Sequence, residues 1–245
     1  MQTNKTDIAQ DGYLAVIPAR GGSKRLPGKN TRLLGGEPLL VHSIKFALEA
    51  SPVDRVVVST DCSRIAKIAE HYGAEVIIRP DTLATDTAKT GPTIRHVVEA
   101  LQATEYFPRG VITLQPTNPL RPPQLIEDAI AIYEETSPDS VITVTQSKQK
   151  LGRIEGGNFT PTTYKVEERS QDLRPQFFEN GLLYLTKPSV LLREGTVFGN
   201  DVKALEVNEP YASVDIDEEV HFYLCEQLFE RFRETFTWVQ SPQRI

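Results

Sequence analysis

The sequence has few of the residues that build metal centres and disulfide bonds. Its 245 residues include only two cysteines, Cys62 and Cys225, which are far apart and not in metal-ligand spacing. This cysteine usage is typical of a reducing compartment, and we interpret both thiols as packing groups. The spacing of the four histidines is also unlike that of metal ligands; these residues are His42, His71, His96 and His221.

Long apolar runs are also absent. Apolar stretches are short and interrupted by charges, so no segment has the length of a membrane-spanning helix. The polar residues 1–11 lack the apolar core of a signal peptide. We therefore expect a cytoplasmic protein with no membrane partner. The formal net charge of -6, with basic residues concentrated in one loop, also argues against a nucleic-acid partner.

Several well-known catalytic motifs are missing. Five residues separate Gly22 from Gly28, and Asn30 follows Lys29, so a Walker loop does not fit. No G-x-G-x-x-G dinucleotide pattern and no G-x-S-x-G nucleophile elbow are present. A P-loop NTPase, an NAD enzyme and a serine acyl transferase are therefore not supported.

A basic, glycine-rich loop directly follows the first apolar segment. Residues 13–17 have the length of a buried strand, and Gly21, Gly22 and Gly28 then allow the backbone to approach an anion closely. The loop also carries four cations, which are Arg20, Lys24, Arg25 and Lys29. A solvated basic turn is the alternative interpretation. The position at the end of a strand favours a phosphate site, because ligands of open α/β sheets bind there.

Strand-like and helix-like segments alternate along the chain, which predicts an α/β fold with a doubly wound, mostly parallel sheet. The predicted strands are 13–17, 55–59, 75–78, 111–114, 140–145, 182–185 and 202–207. The predicted helices are 38–49, 63–72, 93–101, 123–135 and 218–236. We expect one domain over 13–236, with 147–180 as an inserted lobe and with tails at 1–12 and 237–245.

Three further strand ends carry polar residues. Thr60, Asp61 or Ser63 would cap the next helix, which is the interpretation we favour for that segment. Arg79 and Asp86 follow the third strand and would form an ion pair, with a contact between Arg79 and a phosphate as the alternative. Gln115 and Thr117 stand among closely spaced prolines, which predicts a rigid binding loop, although Pro122 and Pro123 also suit an ordinary helix start.

Two carboxylates lie near the end of the chain. Asp215 and Asp217 are two residues apart, so they share one face of an extended segment. Magnesium is usually held by one or two carboxylates together with substrate phosphates. The alternative is that Asp217 complements the N-terminus of the final helix. Together with a phosphate loop, the pair favours a Mg²⁺ site.

Seven segments, taken in order, resemble the acylneuraminate cytidylyltransferase family. They are 17–30 (IPARGGSKRLPGKN), 58–61 (VSTD), 79–80 (RP), 83–87 (LATDT), 114–121 (LQPTNPLR), 179–181 (ENG) and 215–217 (DID). The resemblance implies a nucleotide-diphospho-sugar transferase-like fold, a homodimer, magnesium, CTP and a nine-carbon 2-keto-3-deoxy sugar acid of the sialic acid type. It implies attack by the anomeric hydroxyl of the acid on the α-phosphorus of CTP, with release of pyrophosphate. It also implies that the lobe at 147–180 serves sugar binding or dimerisation.

The resemblance also implies roles for individual residues. Arg20, Lys24 and Asp217 would be catalytic. Nucleotide binding would fall to Arg20, Gly21, Gly22, Ser23, Lys24, Lys29, Asn30, Arg79 and Asp86. The sugar acid would be faced by Gln115, Thr117, Asn118, Asn180 and Tyr184, and the metal by Asp215 and Asp217.

One departure from the family pattern concerns the carboxylate of the sugar acid. Ser170 stands where an arginine is expected beside Gln171, so Arg169 or Arg174 would bind that carboxylate. The identity of the acid stays open, as do two alternatives: a nucleotidyltransferase for another sugar or sugar phosphate, and a nucleotide-binding protein without turnover.

Overall fold

A computed structural model describes residues 11–240 of the chain. The strands are β1 (Tyr13–Pro18), β2 (Leu33–Leu34), β3 (Glu37–Pro38), β4 (Val53–Thr60), β5 (Glu75–Ile78), β6 (Gly110–Thr113), β7 (Ser140–Ser147), β8 (Gly152–Glu155), β9 (Asn158–Pro161), β10 (Gln176–Thr186) and β11 (Val202–Glu206). The α-helices are α1 (Leu39–Glu49), α2 (Ser63–His71), α3 (Thr90–Gln102), α4 (Leu125–Thr136), α5 (Pro188–Glu194), α6 (Glu219–Arg231) and α7 (Thr237–Gln240).

A seven-stranded sheet forms the centre, in the order β11-β7-β10-β6-β1-β4-β5. β1 pairs in parallel with β4 and β6, and only β10 runs antiparallel to its neighbours β6 and β7. The predicted doubly wound, mostly parallel sheet is confirmed. Because the chain moves from β1 to β5 on one side and then returns to β6 on the other, the switch point lies at the carboxyl end of β1.

β1 contributes to both layers of the core. Ala15 and Ile17 face the cluster that contains α1, whereas Leu14 and Val16 face the cluster that contains α3. All four side chains are fully buried, as expected for a strand covered by helices on both faces. The carboxyl end of β1 and the loop after it therefore start from a rigid base.

The C-terminal part of the fold differs from the prediction. α6 ends at Arg231, and one 3-10 turn, Arg233–Thr235, precedes α7. This turn lets Trp238 pack edge-on against Phe46, with ring centroids 4.9 Å apart. Trp238 is 1% exposed, so the folded part extends past the expected boundary at 236. Residues 1–10 and 241–245 of the expected tails lie outside the described residues.

The segment predicted as a lobe carries an exposed hairpin. β8 and β9 pair with each other, apart from the central sheet, while β7 and β10 extend together beside them. Ile154, Phe159 and Phe177 expose 75%, 54% and 48% of their surfaces. Over residues 11–240, no helix combines the length and the apolar character needed to cross a membrane.

His42 makes the stability of the core dependent on pH. Burial lowers its pKa to about 4, although Nε2 lies 2.9 Å from the carbonyl oxygen of Leu34. Between pH 4 and the ordinary value near 6.5, the unfolded chain binds the extra proton, so stability rises with pH across this window. We expect His42 to account for roughly 3 kcal/mol of unfolding free energy lost between pH 7 and pH 4.

Urea unfolding of the wild type and of His42→Gln at pH 7 and pH 4 measures how much of this pH dependence comes from His42. Gln retains a donor for the Leu34 carbonyl but does not titrate. A pH dependence that is equally steep in the two proteins would contradict the assignment.

Candidate active site

The loop after β1 is held by contacts to two neighbouring segments. The Ala19 amide donates to the carbonyl oxygen of Ser59 (2.9 Å), and the Gly21 amide donates to Oδ1 of Asp61 (2.8 Å). From within the loop, Nδ2 of Asn30 donates to the carbonyl oxygen of Arg20 (2.9 Å). These contacts therefore hold the backbone from Ala19 to Gly21 in place.

The segment after β4 differs from the prediction in one respect. No side chain caps the N-terminus of α2. Asp61 instead binds the glycine loop, while Oγ1 of Thr60 accepts a hydrogen bond from the Cys62 amide (3.1 Å). The favoured capping interpretation is therefore wrong for Thr60, Asp61 and Ser63, and the Asp61 carboxylate reaches instead to the loop after β1.

The loop cations surround a cavity of about 310 Å³. Lys24 and Arg20 both contact Asp86, at 2.5 and 2.8 Å. On the other side, Arg25 and Lys29 contact Asp217, at 2.9 and 3.3 Å. The lining residues are Arg20, Ser23, Lys24, Arg25, Lys29, Asp86 and Asp217. Four cations facing two carboxylates leave a net positive charge, which suits a polyphosphate.

An adjoining cavity of about 160 Å³ shares Arg20 and Lys29 with the first. Its lining residues are Pro18, Arg20, Lys29, Asn30, Arg79, Ala88, Lys89, Thr90, Thr93, Gln115, Pro116 and Thr117. They come from the carboxyl end of β1, the start of α3 and the loop after β6. The two cavities together form one cleft at the switch point of the sheet.

Arg79 is buried at the edge of this cleft. It is 6% exposed, and its guanidinium donates to the carbonyl oxygens of Ser59 and Leu83. Nε of Arg79 is buried and has no acceptor within the described residues. Burial lowers the pKa of Arg79 to about 10, and the carboxylate of Asp61 partly opposes that shift. The alternative of an ion pair with Asp86 is wrong, because Asp86 pairs with Arg20 and Lys24.

Three residues that we expected to contact the sugar acid instead have side chains that bind other groups of the protein. Nδ2 of Asn118 donates to the carbonyl oxygens of Asn180 (3.0 Å) and Val214 (3.2 Å). Nδ2 of Asn180 donates to Oγ1 of Thr145 (3.0 Å), and the Tyr184 hydroxyl donates to Glu179. Asn118, Asn180 and Tyr184 are 5% exposed or less. The structure gives them a bracing role between β10 and its neighbouring segments.

The two candidate arginines of the lobe also lie apart from the cleft. Arg169 contacts Asp172 at 2.7 Å, and Arg174 is exposed to solvent. Neither residue lines either cavity of the cleft. Gln115 and Thr117 do line it, so the structure brings only part of the expected sugar-acid set to the cleft.

Asp215 and Asp217 lie on either side of a buried residue. Ile216 is fully buried and its amide donates to the carbonyl oxygen of Thr117 (2.9 Å), whereas Asp215 is exposed and Asp217 is half-buried. This alternation leaves both carboxylates outside the core, and Asp217 also lines the larger cavity of the cleft, whereas Asp215 lines neither cavity. No cluster of three acidic, histidine or cysteine side chains that could hold a metal occurs in residues 11–240. Two carboxylates fit magnesium when phosphate oxygens complete its ligands.

Arg121 is a site residue that sequence reasoning did not single out. Its guanidinium is completely buried and donates to the carbonyl oxygens of Leu182 (2.8 Å) and Gln115 (2.8 Å) and to Oγ of Ser43 (3.0 Å). Burial lowers the pKa of Arg121 to about 9. The residue therefore fixes the backbone at Gln115. Its place at the end of LQPTNPLR was the available signal.

The cleft also contains residues from α3 that were not predicted. Lys89, Thr90 and Thr93 line the smaller cavity at the N-terminal end of that helix. Nothing in the spacing of these residues marks them as functional. Their position follows from the return of the chain from β5 across the sheet to β6.

Gly21 is tightly packed, which gives a test of the loop. A Cβ at Gly21 would lie 2.7 Å from Cβ of Cys62, whereas one at Gly22 would have nothing within 4 Å. We expect Gly21→Ala to displace the loop and to weaken nucleotide binding about tenfold, with a smaller effect from Gly22→Ala. Isothermal titration calorimetry with CTP measures both. Adding Cys62→Gly to Gly21→Ala removes the clash, and a double variant as weak as Gly21→Ala alone would contradict the steric explanation.

A doubly wound sheet with a cationic, glycine-rich loop at its switch point is typical of an α/β protein that binds a nucleotide or another phosphate ligand. The chain belongs to the cytidylyltransferase family, whose sequence model matches residues 14–237. It is 37% identical over 227 residues to a CMP-N,N'-diacetyllegionaminic acid synthase from Legionella pneumophila, covering 90% of this chain and 97% of that protein. It is 30% identical to a pseudaminic acid cytidylyltransferase from Campylobacter jejuni, covering 76% of this chain and 82% of the relative.

Other relatives are longer proteins or share the fold alone. An N-acylneuraminate cytidylyltransferase from Escherichia coli is 31% identical, and the match covers 86% of this chain but 51% of that protein. A CMP:2-keto-3-deoxy-manno-octonic acid synthetase solved in complex with CTP superposes with a TM-score of 0.68 at 18% identity, covering 90% of this chain and 99% of that one. This structural likeness shows that the two proteins share a fold.

Proposed function

We propose that this protein transfers CMP from CTP to the anomeric hydroxyl of a nine-carbon 2-keto-3-deoxy sugar acid and releases pyrophosphate. The observation that carries the proposal is the cavity in which Arg20, Lys24, Arg25 and Lys29 converge opposite Asp217. A triphosphate needs such a concentration of fixed positive charge. The three relatives named above are described as acting on sugar acids of this type.

The loop residues are assigned to the nucleotide. Arg20, Ser23, Lys24 and Lys29 line the larger cavity and hold the triphosphate. Gly21 and Gly22 belong to the loop that carries these side chains, and the Gly21 amide is bound to Asp61. The smaller cavity receives the cytidine beside two further residues, Asn30 and Arg79. The unpaired Nε of Arg79 gives that cavity a buried donor.

Gln115 and Thr117 are assigned to the sugar acid, because they belong to the wall of the smaller cavity that the loop after β6 forms. The acid lies against this wall, outside the space that the cytidine fills. Attack on the α-phosphorus requires the acceptor oxygen to lie in line with the departing pyrophosphate. Arg121 keeps the Gln115 backbone fixed, so the acceptor is placed by a rigid loop. The acceleration then comes from orientation and from neutralising charge on the departing pyrophosphate.

Asp215 and Asp217 are assigned to Mg²⁺. When bound, the ion neutralises phosphate charge and polarises the phosphorus–oxygen bonds. Asp217 already contacts Arg25 and Lys29, so these cations hold its carboxylate at the edge of the cavity. Lys29 also donates to the carbonyl oxygen of Ile216 (2.6 Å), so its amine is fixed beside Asp217.

The lobe at 147–180 is assigned to dimerisation and to the carboxylate of the sugar acid. Its exposed apolar side chains, Ile154, Phe159 and Phe177, suit an interface with a second copy of the chain. Arg169 and Arg174 are exposed in the same segment and supply positive charge for a carboxylate. A homodimer would bring these arginines close to a cleft that they do not line in one protomer.

Pyrophosphate release from CTP, measured with a panel of sugar acids, tests the proposal and identifies the acceptor. N,N'-diacetyllegionaminic acid is the first acid to test, followed by pseudaminic and N-acetylneuraminic acids, with UTP, GTP and ATP as nucleotide controls. Release that requires CTP, magnesium and one acid is the expected result. If no acid in the panel leads to pyrophosphate release while CTP still binds, the result would favour a different acceptor or a protein without turnover.

A further inference from the structure

Asp86 lies in the cationic cavity and neutralises two of its cations. Oδ1 of Asp86 is 2.8 Å from Nη1 of Arg20, and Oδ2 is 2.5 Å from Nζ of Lys24. Arg20 also donates to the carbonyl oxygen of Thr85 (3.1 Å). Both carboxylate oxygens are thus engaged, and the two cations hold an oxyanion that belongs to the protein itself.

This arrangement is unfavourable for a polyphosphate. Lys24 and Arg20 hold the pKa of Asp86 below its usual range, so the side chain is ionised at neutral pH. An ionised carboxylate repels a phosphate that enters the same cavity. It also occupies donors that the phosphate needs, because a hydrogen bond between ionised groups is stronger than one between neutral groups.

We propose that Asp86 is an internal counter-anion that competes with the polyphosphate for Arg20 and Lys24. In the free enzyme, Asp86 positions both cations at the spacing that an oxyanion requires. On binding, the triphosphate displaces the carboxylate, and on product release the carboxylate takes the cations back. This inference rests on the proposed function and adds that Asp86 limits the affinity for CTP and for pyrophosphate.

The position of Asp86 allows such an exchange. It lies between a 3-10 turn, Asp81–Leu83, and the start of α3, and its side chain is 39% exposed. Movement of this carboxylate into solvent therefore needs no repacking of the core. Lys24 is 84% exposed and can follow the phosphate rather than the carboxylate.

Asp86→Asn removes the charge and keeps the size of the side chain. We expect CTP and inorganic pyrophosphate each to bind about five- to tenfold more tightly to this variant, as measured by calorimetry with and without magnesium. Asp81→Asn is the matched control, because Asp81 is exposed, belongs to the same segment and lines neither cavity of the cleft. We expect the control to shift affinity less than twofold.

Three results would overturn the inference. Weaker CTP binding with unchanged pyrophosphate binding would mean that Asp86 contacts the nucleoside. Weaker binding only in the presence of magnesium would make Asp86 a metal ligand, and unchanged affinity for both probes would show that the carboxylate does not compete. A failure of the proposed function would appear in a different experiment, because the wild type would then release no pyrophosphate with any acid. That result does not depend on how Asp86→Asn changes binding.

Discussion

Asp217→Ala is expected to lower turnover by roughly 10²- to 10³-fold while changing CTP affinity only a few-fold. The carboxylate is the acidic group between Arg25 and Lys29 at the edge of the phosphate cavity. Its removal takes away a proposed metal ligand and lowers kcat. It also frees two cations for the triphosphate, so binding is retained.

Steady-state kinetics with saturating CTP and sugar acid, together with calorimetric titration of CTP, measure the two effects separately. Asp217→Asn should lose turnover similarly, because the charge is the important property. Glu218→Ala is the matched control, since Glu218 is the next residue, exposed and not a side-chain cap of α6. Equal losses in turnover and CTP binding would mean that Asp217 only shapes the cavity.

Arg121→Met is expected to lower the free energy of unfolding by about 3–5 kcal/mol. The substitution leaves the carbonyl oxygens of Leu182 and Gln115 and the hydroxyl of Ser43 without their buried donor. Each buried polar group left without a hydrogen bond costs roughly 1–3 kcal/mol of unfolding free energy. Burial of the apolar Met side chain offsets part of that cost. For a chain of this size, the midpoint of thermal unfolding should fall by about 10 °C.

Urea and thermal unfolding measure this loss. Arg95→Met is the matched control, because Arg95 makes an exposed ion pair with Glu99 on α3 and should contribute less than about 1 kcal/mol. If both variants unfold within about 1 kcal/mol of the wild type, Arg121 does not hold the loop after β6 in place. Loss of sugar-acid affinity without loss of stability would also contradict a purely bracing role.

The sequence predicts best the features that depend on local pattern. Apolar residues in β1, followed at once by glycines and cations, were enough to predict both the strand and the loop. Alternation of strands and helices was enough to predict the sheet, because parallel strands with helical crossovers leave few topologies. The Asp217 carboxylate is 188 residues from Lys29, and the DID segment itself was the only sign that the two would belong to one site.

The sequence predicts least the direction in which polar side chains point. Asn118 and Asn180 lie in motifs that suggested ligand contacts, yet their amides satisfy backbone and threonine groups between β10 and adjacent segments. An amide has the same hydrogen-bonding groups whether its partner is a ligand or the protein. Asp61 and Arg121 show the converse, because their long-range partners are defined only after β4, β6 and β10 assemble.

Phosphorus NMR of the complete reaction shows whether the cationic cleft joins CMP to a sugar acid. With CTP, magnesium and N,N'-diacetyllegionaminic acid, we expect the triphosphate signals to be replaced by equal amounts of a new phosphodiester and pyrophosphate. Formation of free CMP and pyrophosphate without a phosphodiester, whichever of the three acids is supplied, would contradict this expectation, because the cleft would then hydrolyse CTP rather than transfer CMP.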